Sequence, residues 1–212
     1  LLIDAEYQLQ LQSMKLKTTV HLRHYGSCIA YSPNGSLIAV GLYNGLAKLV
    51  DIESHTILHT LKSTDTSVTS CVFSPDGTQL ATSYDDCTIK LWNAATGTVT
   101  RTLKGHDAGV EAVTYSRDGK HLFSCGNDKT ARVWRTKSGG IVQKLTLPAP
   151  GKSVAVSMDG TLLVVGCSDD QIMNVCVFSA AARFKPLLTF VAHMSGELDL
   201  SHVCFCPAAG SA

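Results

Sequence analysis

Trp92 and Trp134 lie 42 residues apart, and the segments around them superpose residue for residue. A chain that repeats at a fixed spacing of this size is built from copies of one supersecondary unit, so the period limits the fold before any local propensity is weighed. The turn Ser74-Pro75-Asp76-Gly77 recurs 42 residues earlier as Ser32-Pro33-Asn34-Gly35 and 42 residues later as Ser116-Arg117-Asp118-Gly119. A fourth copy, Ser157-Met158-Asp159-Gly160, follows after 41. Leu61, Leu103 and Leu145 coincide at the same offset, as do Lys48, Lys90 and Arg132. So do Asn44, Asp86 and Asp128, with Thr88 and Thr130 two residues beyond the last two. What repeats is a whole succession of local structures and not one turn.

Inside each unit, apolar and polar residues alternate in short runs bounded by turn residues, the period of strands and not of helices. In the second unit this predicts strands over 68–73, 79–83, 88–92 and 98–103, with turns at 74–77, 84–87 and 93–97. Asn or Asp before an unchanging Gly is expected to supply the positive φ angles of a tight hairpin.

Four-stranded units of about 40 to 45 residues ending near a Trp are how blades of a WD-type propeller are built. The chain resembles the WD40-repeat family on these motifs, over residues 24 to 193. The resemblance implies an all-β, WD40-type β-propeller of about four complete blades with partial blades at both ends. Residues 1–23 are read as the end of a preceding blade or a connector, with Leu2-Ile3-Asp4 as the end of a third strand. Residues 24–63, 64–105 and 106–147 are repeats one to three, and 148–192 a degenerate fourth. Residues 193–212 begin a further blade, Val203-Cys204-Phe205-Cys206-Pro207 being its opening strand. The chain starts at Leu1 without Met and stops inside a blade-like segment, so it is expected to be a piece of a larger ring, most often of about seven blades.

The resemblance also implies a hydrogen-bonded tetrad of His, Ser or Thr, Asp and Trp. Only the third unit has all four, as His106, Ser124, Asp128 and Trp134. The Asp accepts from the His ring, the His from the hydroxyl, and the hydroxyl from the indole N–H; buried polar groups must be paired, so this network is read as structural. The second unit keeps Thr82, Asp86 and Trp92 but has Thr64 for the His. The first has Val40, Asn44 and Val50, and must be held by burial alone. In the fourth, Asp169 or Asp170 is the turn acid, 172–178 holds no Trp, and His193 after Ala192 stands as a second candidate His.

Partners of such propellers dock on the narrow top face, reached by two positions per blade. By register these are Ser27 and Tyr43, Thr69 and Asp85, Glu111 and Asn127, Lys152 and Ser168. The tips differ between units while the scaffold repeats, as a recognition surface on rigid strands would show and as ordinary surface drift would show equally.

Composition narrows the function further. With 212 residues, 45% of them hydrophobic, there is ample material for a core. Eighteen Lys plus Arg against 17 Asp plus Glu create no positive field for a nucleic-acid backbone or an anionic membrane, and clusters such as 15–17 read as solvated face. No run of about 18 apolar residues is present to span a bilayer, and no signal peptide is evident. The eight Cys (28, 71, 87, 125, 167, 176, 204 and 206) mostly occupy strand positions where sister units carry small or apolar residues, Cys71 matching Ile29 and Val113, and Cys125 matching Gly41 and Ser83. They read as free buried thiols in a reducing compartment. Cys204-x-Cys206 lacks zinc-site spacing, so no metal is expected. Phosphate-loop, nucleophile-elbow and H-E-x-x-H motifs are absent, and the pairs Asp85-Asp86 and Asp169-Asp170 fall on structural turns. No cofactor or catalytic residue is expected. The function expected is a non-catalytic scaffold, cytoplasmic or nuclear, that binds proteins within a larger assembly and meets remaining propeller blades or a complementing chain. A substrate-recruiting propeller of a ubiquitin ligase is the alternative, and a propeller enzyme with its site in the channel a third.

Overall fold

The computed structural model describes residues 22, 24–63, 65–169, 172–180 and 183–193. Leu2-Ile3-Asp4, Thr64, Asp170, Val203–Pro207 and the side chain of His193 fall outside the described residues. The first sheet consists of β1 (Gly26–Tyr31), β2 (Leu37–Leu42), β3 (Leu46–Asp51) and β4 (Ile57–Lys62). The second consists of β5 (Val68–Phe73), β6 (Gln79–Tyr84), β7 (Thr88–Asn93) and β8 (Val99–Lys104). In the third are β9 (Val110–Tyr115), β10 (His121–Gly126), β11 (Thr130–Arg135) and β12 (Ile141–Thr146), and in the fourth β13 (Gly151–Val156), β14 (Leu162–Ser168), β15 (Ile172–Ser179) and β16 (Lys185–His193). Each is an antiparallel meander in chain order. The predicted strands of the second unit fall within a residue of those found, and β16 runs one residue past 148–192.

The repeated Ser-x-Asx-Gly turn works differently from the expectation. Only its glycines take positive φ, 71°, 73°, 68° and 72° at Gly35, Gly77, Gly119 and Gly160. The Asx residue contributes its side chain: in the second unit Asp76 Oδ1 accepts from the Ser74 hydroxyl and from Thr78 N–H, while Gly77 N–H donates to Ser74 C=O at 2.8 Å. Asn34, Asp118 and Asp159 repeat this. Pro75 and Asp76 thus occupy the central positions of a type I turn with Gly at the fourth.

A blade of this kind is apolar on both faces and buries them only against its neighbours. Ala39, Ala47, Leu49 and Leu61 of the first sheet meet Cys71, Phe73, Leu80 and Trp92 of the second. Ala81, Ile89, Leu91 and Leu103 meet Val113, Tyr115, Leu122 and Trp134 of the third by the same register. Phe123, Ala131, Val133 and Leu145 meet Val154, Leu163, Cys176 and Phe178 of the fourth. Each Leu buried in such a seam contributes roughly 1.5–3 kcal/mol.

Blades follow in chain order, β1 packing on β5, β5 on β9 and β9 on β13. Residues at matching register on the two end faces are exposed. Tyr31 is 64% exposed where Phe73 and Tyr115 are 5% and 7%. Phe190, opposite Val175 as Leu61 is opposite Ala47, is 61% exposed against 1% for Leu61. Truncating Phe73 to Ala should therefore cost about 3–5 kcal/mol, the range for a core aromatic. Tyr31→Ala should stay within about 0.5 kcal/mol, as surface changes do. Urea midpoints of the two variants against the parent chain check the contrast, and equal losses would mean that the β1 face is covered in solution.

Candidate functional site

The repeat places a Trp at the end of the third strand and a hydroxyl opposite the middle of it, so that an indole N–H can reach across. In the third blade Trp134 Nε1–H donates to Ser124 Oγ at 2.8 Å, and the Ser124 hydroxyl donates to His106 Nε2 at 2.7 Å. His106 Nδ1–H in turn donates to Asp128 Oδ2 at 2.9 Å. Four residues distant in sequence thus form one continuous chain. Asp128 does more than the sequence suggests: its Oδ2 also accepts from Asp107 N–H and Arg132 Nη2, and its Oδ1 from Thr130 N–H and hydroxyl. Arg132, almost fully buried, is a member that sequence reasoning missed, although its alignment with Lys48 and Lys90 was the available signal.

The other blades vary the theme. In the second, Trp92 Nε1–H donates to Thr82 Oγ1 at 2.8 Å, and the Thr82 hydroxyl donates to Tyr84 Oη at 3.0 Å. Tyr84 thus takes the acceptor place that His106 holds in the third blade. Asp86 serves its own turn, accepting from Thr88 N–H. In the first blade burial is not alone: Asn44 Oδ1 accepts from Leu46 N–H, and Lys48 Nζ donates to Leu22 C=O. The fourth blade has Val165 opposite Cys176 and Phe178 in the indole's place, opposite Leu163. Asp169 stands at the register of Asp128 and is exposed.

The eight expected top-face residues fall on a repeated irregularity. The ladder between first and second strands skips Ser27, Thr69, Glu111 and Lys152, each a β-bulge residue. A bulge re-aims its side chain and increases local twist. The other four, Tyr43, Asp85, Asn127 and Ser168, close the same bulges by backbone N–H bonds to Tyr25, Ser67, Gly109 and Pro150 carbonyls. Four blades therefore present four similar side-chain pairs at one end of the arc.

Their tips are not equally available. Asn127 Nδ2 donates to Glu111 Oε1 at 2.6 Å, and Lys152 Nζ reaches back from the fourth blade to Glu111 Oε1 and Asn127 Oδ1 at 3.4 and 3.2 Å. Thr69 donates its hydroxyl to Val110 C=O, and Ser27 donates to Cys28 Sγ. Tyr43 and Asp85 are exposed, with no side-chain hydrogen bond among the described residues. Partial burial, then Glu111 and Asp86 nearby, raise the Asp85 carboxyl above the ordinary Asp value. Tyr43 C=O accepts from Ser67 Oγ and Ser67 C=O from Asp85 N–H, so the two free tips sit on linked turns. Among the described residues no group of three or more His, Cys, Asp or Glu is placed to hold a metal ion.

Four-stranded antiparallel meanders stacked blade on blade are the architecture of a β-propeller. Residues 7–147, about two thirds of the chain, match the family described as Vps8 beta-propeller, and the chain belongs to that family. The matched segment takes in the first three sheets and stops before β13. No curated protein matches the chain.

Replacing Asp128 by Ala strands buried donors on His106 and Arg132, an expected loss of about 1–3 kcal/mol or more, since charged partners are involved. Asn44→Ala, which removes one turn bond, should cost clearly less. Denaturant midpoints compare the two.

The network also sets a pH response. Burial lowers the His106 pKa despite the pull of Asp128. A base whose folded pKa is depressed supports the fold above its unfolded pKa, about 6.5, and loses that support as pH falls below it. For Asp128, burial opposes ionisation but the bonds from Thr130, Asp107 N–H and His106 hold its carboxyl low, so its contribution fades only in stronger acid. Between pH 7.5 and 5.5 the parent chain should lose more urea stability than His106→Gln does, and parallel losses would sink the assignment.

Proposed function

We propose that the chain is a non-catalytic propeller of the WD kind that docks protein partners at the bulge end of its blades, within a larger assembly. The observation that carries this is the pairing of a repeated, rigid bulge with unlike tips, of which Tyr43 and Asp85 are left free. Large or charged tips on a rigid frame are what interface hot spots require. The apolar end faces bearing Tyr31 and Phe190 are proposed to meet the remaining propeller blades or a complementing chain. The Vps8 family is one of endosomal trafficking factors, and an intracellular trafficking complex is the setting we extend to this chain. The near balance of 18 basic and 17 acidic residues favours a protein over a nucleic-acid partner.

Glu111 and Lys152 hold one another, so changing either disturbs the scaffold as well as the surface. The informative variants are Tyr43→Ala and Asp85→Lys, with Ser27→Ala as control, all checked for an unchanged melting temperature. In pull-downs from cell extract the first two should lose partners, with affinity down about tenfold or more, while the control keeps them. An identical partner set for all three would move attention to the sides and the opposite end of the blades.

A further inference from the structure

The near balance of 18 basic and 17 acidic residues hides a local segregation. At the end of the blades opposite the bulges, the two turns of the third blade are joined: Thr136 N–H donates to Lys120 C=O at 3.0 Å, and its hydroxyl to Gly119 C=O at 2.8 Å. These turns carry Arg117, Lys120, Arg135 and Lys137, all exposed, against one acid, Asp118. Arg101 of β8 reaches in from the second blade, its Nη1 3.5 Å from Ser138 C=O, and Arg117 Nη1 donates to Met158 C=O of the fourth blade at 3.1 Å. Arg183 is exposed in the matching β15–β16 turn. Asp118 accepts from its own turn and pairs with Lys120, and Asp76 and Asp159 are bonded within theirs in the same way. Among the described residues, Arg101, Arg117, Arg135 and Lys137 form no ion pair.

Apolar side chains are exposed at the same end. Met158, 62% exposed, takes the place at the turn tip that Arg117 holds in the third blade. Val99, Ile141 and Leu187, near the starts of the outer strands β8, β12 and β16, are exposed just past the turns that carry the cations or match them.

We propose that this end of the blades docks on an anionic lipid bilayer, with the cations on the headgroups and Met158 at the boundary of the acyl chains. Positive charge alone would suit an acidic peptide or a nucleic-acid backbone equally well. An apolar tip set among cations gains nothing from either, whereas anionic headgroups over hydrocarbon reward both kinds of side chain. The cations are also spread over the turns of three successive blades, which matches a plane better than a pocket. Each Lys or Arg brought to such a surface multiplies the partition by about five. The bulge end then faces away from the bilayer, so a membrane and a protein partner can be held at once.

The test mixes the intact chain at low salt with phosphatidylcholine vesicles and, separately, with vesicles in which about one third of the lipid is phosphatidylserine, and measures the bound fraction by flotation. Partition onto the anionic vesicles should exceed that onto the neutral ones about a hundredfold. It should fall steeply as added salt shortens the screening length. Arg135→Gln with Lys137→Gln should lower it about tenfold or more, and Met158→Ser severalfold with an unchanged salt dependence. Lys62→Gln with Lys104→Gln, both at exposed positions toward the bulge end, should leave it unchanged. The proposal is overturned if the two kinds of vesicle are bound alike, if the bulge-end pair costs as much as Arg135 and Lys137, if Met158→Ser changes nothing, or if a hexaglutamate peptide or an RNA oligonucleotide is bound while anionic vesicles are not.

Discussion

A four-stranded meander has two apolar faces and no means of burying either by itself. Every blade here depends on the seam it makes with the next, where one sheet's Leu61, Leu103 or Leu145 closes on the following sheet's inner strand. That dependence explains why those leucines recur at one spacing while surface tips do not. It also explains why stability is distributed along the arc: each seam is a separate nearest-neighbour contribution, as in other stacked repeats. Where the described residues supply no facing sheet, as at Tyr31, the residue keeps its apolar character and is exposed.

The polar chains are secondary to this packing, because the blades tolerate their loss. The third blade has the full His106–Ser124–Trp134 chain on Asp128, the second a shortened one on Tyr84, and the fourth an apolar substitute in Phe178. A buried indole N–H must find an acceptor, so Trp and the hydroxyl change together: Trp92 with Thr82, Trp134 with Ser124, but Val50 with Val40. In the third blade the network ties the segment that follows β8, through His106 and Asp107 N–H, to Ser124 and Asp128 of the next blade. Arg132 raises the stakes in the third blade, since a buried guanidinium without Asp128 would be left uncompensated.

Periodicity made most of the fold legible in the sequence, because strands, turns and register are all properties of one unit read against its copies. The tetrad residues and the bulge positions were reachable in the same way. Contacts between blades were not. Nothing inside a single repeat says that Lys152 reaches back to Glu111 and Asn127, or that Tyr84 stands in for a missing His, because each depends on which side chain happens to face which neighbour. The turn was read with the right residues and the wrong mechanism: Asp76 and its counterparts act through the side chain, and only Gly takes the left-handed backbone. Local composition cannot separate those two uses of Asp, whereas the carboxylate's bonds do.

The bulges set which side chains leave the regular pleat at one end of the blades. A regular ladder would fix Thr69 or Glu111 in the pleat and commit its side chain to one face of the sheet. Skipping that residue frees its direction, and the N–H bond from Asp85 or Asn127 to the residue two positions before the bulge holds the loop closed whatever side chain is present. The closing bond itself uses backbone atoms alone, so it forms whichever two tips the bulge carries. The blades have used that freedom differently, tying Glu111, Asn127 and Lys152 into one cluster and leaving Tyr43 and Asp85 outward on linked turns. A surface in which part is self-satisfied and part is not already has a direction. The self-satisfied cluster lends rigidity, and the exposed Tyr43 and Asp85 beside it are the tips that we propose meet a partner.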